Sequence, residues 1–559
     1  MKVLLEILLL TVFLASSLGD EDKDARIIHL PQGPVRGYKE GLGTFSFYHI
    51  PYATAPTGDD KFKAPLPPPT WTEPLEAVRK GSDIVCPQLK MDFFEIRNMT
   101  QQEDCLIVNV FAPESQEDNL PVVVHFHGGY LMGYGNIVEV KNFVATRKHI
   151  AVTFNFRVGI HGFLCLGTEN IPGNAGIKDQ IALLRWVRKN IAYFGGNPDD
   201  VTISGASAGA MLVDLIQLVP AARGLYTKVI AESGSSLTPT TVQVDPLAKA
   251  KSYAKHFNIE TDDVYDLEKF YLSASYDLLT SHSSQFFFTA DSDIGFTACV
   301  ERPTGDEMML DDAPYNILKS GNFETVPILT GYANLDSLNR AVLFDDFSQK
   351  MNNNFADVLP FDLEFDSEEE RDKVAKLVKE EYFGEGVITE NKIEAFIDYY
   401  TETVMAYPTA RSLRLQHLAG NQEIYLYEYS FEHDEPLMTF NFTTPKGAGH
   451  CYQSRAIWDE DKDDLGESHL SEDYMNMKNI MRDLWFNFIT SGQPVPENSK
   501  LPEWPAMKEN WSPHMSLGSP IELRGSLRLQ RVQFWDRIYE KYYRVPVPPP
   551  APLRRRSDL

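Results

Sequence analysis

The segment Gly205-Ala206-Ser207-Ala208-Gly209 sets a serine between the apolar run Val201-Thr202-Ile203-Ser204 and the helix-compatible run Ala210-Met211-Leu212-Val213-Asp214-Leu215-Ile216. A buried strand that turns so abruptly into a helix lifts the serine hydroxyl clear of a sheet. The two glycines keep side chains out of a turn too tight to hold them. Five residues of this pattern recur by chance in long chains, so the weight lies in the strand before and the helix after.

The flanking sequence repeats the same alternation. Pro121-Val122-Val123-Val124-His125-Phe126 and Ile150-Ala151-Val152-Thr153-Phe154-Asn155-Phe156 read as short buried strands, as do Val201–Ser204 and Lys228-Val229-Ile230-Ala231. Asp179 to Phe194 has helical period, with Ile181, Leu184, Val187 and Ile191 on one face. Strands alternating with helices predict an α/β fold, a mostly parallel sheet with helices on both faces. Val326–Thr330 and Ile424–Tyr429 read as late strands, and Met475–Ile489 as an amphipathic helix. Residues 245–320 and 345–420 are polar, charge-rich and largely helical in pattern, which makes them helical insertions.

Residues 1–19 read as a secretory signal, with Lys2, the apolar stretch Leu4–Leu14 and the small-residue end Ser17-Leu18-Gly19. No later segment has the length of a membrane span, so the expectation is a secreted domain over 20–543 with no transmembrane segment. The remainder, 544–559, is Pro-rich with a basic end at Arg554-Arg555-Arg556 and reads as disordered. A net charge of −27 excludes a nucleic-acid partner and disfavours anionic membrane surfaces. Five cysteines leave at least one without a partner in the chain. Cys86 and Cys105 bracket a short polar loop and are disulfide candidates; Cys165, Cys299 and Cys451 are left unassigned. Asn98 and Asn441 stand in glycosylation sequons. The histidines are scattered without zinc-site spacing, so no metal or other cofactor is expected.

A serine hydroxyl is a poor nucleophile near neutral pH and needs a base in reach and a group that orients the base. His450 lies in the small-residue loop Lys446-Gly447-Ala448-Gly449-His450. Asp336 follows the strand ending near Gly331 and is the sole carboxylate between Thr325 and Phe344. Serine, acid and histidine come in the chain order used with such a strand–turn–helix. The expected catalytic roles are Ser207 as nucleophile, His450 as general base then acid, and Asp336 as the group fixing the imidazole tautomer. His127-Gly128-Gly129-Tyr130 follows a strand and resembles an oxyanion loop, which assigns the backbone N–H groups of Gly129, Tyr130 and Ala208 to an oxyanion hole.

With these residues in view, the chain resembles the type-B carboxylesterases of the cholinesterase-like family, secreted insect esterases in particular. The resemblance rests further on Gly33-Pro34-Val35-Arg36-Gly37, Glu103-Asp104-Cys105-Leu106, Asn155-Phe156-Arg157-Val158-Gly159 and Asn174–Gln180 through Arg185-Trp186-Val187 to Phe194-Gly195-Gly196. It implies an α/β-hydrolase fold, a Cys86–Cys105 disulfide, an Arg157–Asp179 salt bridge and a serine esterase activity. Departures from the family pattern are Ala206 where Glu is usual, Tyr130 where Gly or Ala is usual, Cys451-Tyr452-Gln453 without an acidic pair, and Asp336 where Glu is usual. The stretch from Cys86 to Cys105 holds Phe93 and Phe94 but no tryptophan to stack on a quaternary ammonium, which argues against choline esters. Leu131, Met132 and Phe286–Phe288 are candidate walls of a lipophilic gorge.

The expected function is hydrolysis of small neutral lipophilic esters through an acyl-enzyme on Ser207, serving odorant or pheromone, xenobiotic or hormone ester turnover. The competing reading is a catalytically weak or inactive ligand-binding or adhesion protein. The sequence leaves oligomeric state open.

Overall fold

A computed structural model describes residues 24–79, 83–88, 99–115, 117–129, 134–281, 295–433, 445–459 and 467–552. The expected signal segment, Phe93 and Phe94, Asn98, Tyr130 to Met132, Phe286–Phe288, Asn441 and the terminal arginines lie outside the described residues.

The first strands are β1 (Ala25–Leu30), β2 (Gly33–Glu40), β3 (Thr44–Pro51), β4 (Leu75–Glu76), β5 (Asp83–Val85), β6 (Met99–Gln101), β7 (Ile107–Pro113) and β8 (Leu120–Phe126). They are followed by β9 (Ile150–Phe154), β10 (Gly196–Ala206), β11 (Lys228–Glu232), β12 (Ile328–Ala333), β13 (Ile424–Tyr429), β14 (His514–Leu517) and β15 (Glu522–Arg524). One sheet runs β1-β2-β3-β7-β9-β8-β10-β11-β12-β13-β14-β15, with β4 beside β2. From β9 to β14 every pairing is parallel, and the margins are antiparallel apart from the short β4 beside β2.

Both faces of the parallel region are covered, which is why its strands read as continuous apolar runs. Side chains alternate between the faces. Val122, Val124, Val201, Ile203 and Leu426 enter one core, while Val123, Ile230, Leu329, Tyr427 and Tyr429 enter the other. The helices Ala175–Asn190 and Ala208–Ile216 cover the first face. Helix Glu472–Ser491 covers the second through Met481, Trp485 and Phe488. This is the α/β-hydrolase fold.

The helix expected over 179–194 begins four residues earlier, at Ala175, and tightens to a 3-10 turn over Ile191–Phe194. Asn174 (φ 53°) stops it, its side chain exchanging hydrogen bonds with the backbone of Cys299 at 2.8 and 2.9 Å. The Arg157–Asp179 pair is present and buried, with guanidinium-to-carboxylate contacts of 2.7 and 2.8 Å. Cys86–Cys105 is a disulfide, and a second joins Cys165 to Cys299, leaving Cys451 unpaired and half-buried. The Pro-rich stretch read as disordered lies along the body as far as it is described. Pro546 and Pro549 are buried, Arg544 N–H donates to Asp362 O at 2.8 Å, and Arg302 reaches Pro550 O. No helix among the described residues is long and apolar enough to cross a membrane.

Candidate active site

β10 ends at Ala206 and the next helix starts at Ala208, so the whole reversal falls on Ser207, at φ 58° and ψ −125°. That conformation is costly for any residue with a Cβ and persists only where the surroundings enforce it. Here β11 enforces it: the Ser207 N–H donates to Glu232 O at 2.8 Å, and the Ser207 carbonyl accepts the Met211 N–H at 3.1 Å. Close approach explains the flanking glycines. A Cβ on Gly205 would stand 2.4 Å from the Gly209 carbonyl, and one on Gly209 would stand 2.1 Å from Phe126 O. Ser207 itself remains partly exposed.

Asp336 sits three residues beyond the end of β12 and is 1% exposed. Its carboxylate accepts the Ala333 N–H at 2.9 Å, the Ser233 hydroxyl at 2.5 Å and the His450 Nδ1–H at 2.5 Å. Ser233 is held in turn by Gln453 Nε2 at 2.7 Å. The loops carrying Asp336 and His450 are laced together: Ala448 N–H donates to Asn334 Oδ1 at 2.8 Å, and Leu335 N–H to Ala448 O at 3.0 Å. Donation from Nδ1 to the carboxylate leaves Nε2 as the basic nitrogen in the neutral ring. Burial works against the imidazolium, but the Cys451 thiol and the Asp336 carboxylate beside it outweigh that and hold the His450 pKa well above the ordinary histidine value. No direct hydrogen bond joins Ser207 Oγ to His450 among the described residues, and a nucleophile–base contact commonly tightens only once substrate is bound.

The loop after β8 runs against the elbow. A Cβ on Gly128 would stand 3.0 Å from Ala206 O and 3.4 Å from Ser207 Cβ, and Gly129 has φ 95°. His127 is stacked on Phe156 at 4.2 Å, and burial pushes its imidazole down to about 4, so it is a neutral wall of this loop. Ala208 opens the helix at the elbow, where backbone N–H groups have no partner within the helix. Among the described residues no group of three His, Cys, Asp or Glu side chains is placed to hold a metal ion.

The structure therefore brings Asp336 and His450 into contact and sets Gly128 and Ala208 around Ser207. Ser233 and Gln453 escaped the sequence reading as members of this network. Their one signal was position, since Ser233 follows a parallel strand at the carboxyl end where such sites form.

A strained serine at a strand–helix turn, in a fold that also bonds a histidine to a buried carboxylate, is the arrangement of a serine hydrolase of the α/β type. The chain belongs to the carboxylesterase family, whose model matches residues 24–535. It is 27% identical to the juvenile hormone esterase of Heliothis virescens over 91% of this chain and 93% of that protein. It is 29% identical to the para-nitrobenzyl esterase of Bacillus subtilis (strain 168) over 91% of this chain and 98% of that one. The crystal structure of juvenile hormone esterase from Manduca sexta, with OTFP covalently attached, superposes with a TM-score of 0.82 at 26% identity, covering 92% of this chain and all of that one. The protein is a serine carboxylic ester hydrolase.

Proposed function

We propose that the chain is a secreted esterase that cleaves neutral lipophilic esters through an acyl-enzyme on Ser207. The observation that carries this is the Asp336–His450 hydrogen bond, in the same fold as a serine held at φ 58° at a strand–helix turn. His450 Nε2 takes the Ser207 proton as Oγ attacks the ester carbonyl, and Asp336 stabilises the imidazolium that forms. The tetrahedral oxygen is met by the N–H groups of Gly129 and Ala208, with Tyr130 as the third donor. His450 then protonates the departing alcohol, and water repeats the sequence on the acyl-enzyme.

Two disulfides support an oxidising compartment, and the sequons at Asn98 and Asn441 suit it. Pro239, Thr240, Val358, Tyr400 and Val404 line a small pocket, with Arg340 stacked on Tyr400 at its wall. Thr240 touches Met211, one turn beyond Ser207, so this mostly apolar gap, with room for about one water molecule, lies close behind the elbow. Turnover of hormone, pheromone or xenobiotic esters is the use that fits these features. No tryptophan stands between Cys86 and Cys105 to select choline esters.

The test is hydrolysis of p-nitrophenyl esters by the secreted protein beside Ser207→Ala, together with intact mass after a fluorophosphonate. Turnover and a single adduct that both vanish in the variant establish Ser207 as nucleophile. Undiminished turnover in the variant sinks the assignment.

A further inference from the structure

Glu232 ends β11 and joins the two halves of the proposed site. Its carbonyl accepts the Ser207 N–H. Its side chain is fully buried, and among the described residues neither carboxyl oxygen has a hydrogen-bond partner of good geometry. By strand alternation it follows Ile230 onto the sheet face covered by helix Glu472–Ser491. Its neighbours there are Tyr427 of β13 and Ser454 of the short helix Tyr452–Arg455, which begins two residues after His450. Among the described residues the Tyr427 phenol and the Ser454 hydroxyl are likewise buried without a hydrogen bond of good geometry, although Ser454 lies near enough to Glu232 to bias its ionisation.

Among the described residues no cation is seen to act on a carboxylate in this place. Burial pushes the Glu232 carboxyl up to about 8, and the Ser454 hydroxyl alone among the described residues favours the ionised form. Among the described residues the titratable groups that act most on Tyr427 beside it are Asp336, Cys451 and Tyr429, none of them a cation, and the buried Lys478 and Arg482 of the covering helix pair with Glu467 instead. At neutral pH the group is therefore an uncharged acid that can donate as well as accept.

We propose that Glu232 is a positioning residue that works only in its protonated form, tying the Ser207 elbow to the His450 loop, and that loss of its proton drives the two apart and switches turnover off at alkaline pH. The main-chain half of the tie is the bond to Ser207; the side-chain half is the packing against Ser454. A charge formed there draws donors or water into the apolar layer at the expense of that packing. The inference rests on Ser207 and His450 being nucleophile and base.

The experiment is the pH profile of kcat/KM on p-nitrophenyl butyrate, corrected for spontaneous hydrolysis, for wild type, Glu232→Gln and Glu232→Ala. Wild type loses about tenfold per pH unit above a midpoint near 8. In Glu232→Gln, neutral at every pH, this limb disappears whatever the height of the plateau, and the plateau stands above that of Glu232→Ala. An alkaline limb of unchanged midpoint in the Gln variant overturns the proposal. Should that variant not fold, the rate of fluorophosphonate labelling of wild type decides. A reversible loss centred near 8 supports the proposal, and a rate flat to pH 10 overturns it. Wild type that labels at Ser207 while the limb persists in Glu232→Gln removes this inference alone; absence of labelling at Ser207 removes the site assignment beneath it.

Discussion

One carboxylate of Asp336 accepts from Ala333, Ser233 and His450, so its orientation is over-determined and the imidazole inherits that rigidity. Asp336→Asn keeps the shape but offers the ring the wrong partner, and kcat should fall by about 10⁴. The sign of the pH effect follows from the base having to be unprotonated. Because the His450 pKa is raised, activity climbs with pH through a value above 6.5, and loss of the Asp336 charge moves that acid limb downward. A limb that stays put in the pH profile of the variant would count against the assignment. Ser233→Ala removes one hydrogen bond from the carboxylate and frees Gln453, so kcat should drop about tenfold with KM little changed. Steady-state kinetics on one ester checks it. The sharp turn at Ser207 and the pairing of Asp336 with His450 could be anticipated in the sequence because the expected order is tied to a local turn. Ser233 and Gln453 were not, because their bond spans 220 residues and exists only once β10, β11 and β12 are in register.

Among the elements, the elbow is the least forgiving. The nearest atom to a Cβ on Gly209 is the backbone oxygen of Phe126, which cannot rotate away. Gly209→Ala should therefore destabilise the fold by about 1–3 kcal/mol or more, read as a lower urea midpoint together with lost activity. An unchanged midpoint would mean that β8 and the helix can separate at no cost. Strands and helices of the parallel core could be read from the chain because each is apolar on two faces or on one stripe. Their ends were less legible. Asn174 closes its helix by bonding to Cys299, a contact no periodicity reveals. The same holds for residues 544–552: a proline run looks unstructured until Pro546 and Pro549 meet the surface that buries them.

Across the whole molecule, long-range ties carry stability that no single element shows. Cys165 and Cys299 are 134 residues apart, and replacing both with Ala should cost about 2–5 kcal/mol. Arg157→Met strands the Asp179 carboxylate at 0% exposure, and leaving such a charge unpaired costs about 3–5 kcal/mol. Thermal or denaturant unfolding of each variant measures these losses, and a change under 1 kcal/mol in either would show that the tie is redundant. The sheet order bears on how the enzyme comes into being. The proposed nucleophile follows β10, its acid follows β12, and the histidine comes 114 residues after the acid, beyond β13. A growing chain exposes its serine long before the base that would arm it has been made. On that assignment the nascent protein is expected to be inert toward esters, and esterase activity to first appear as the signature of a finished sheet.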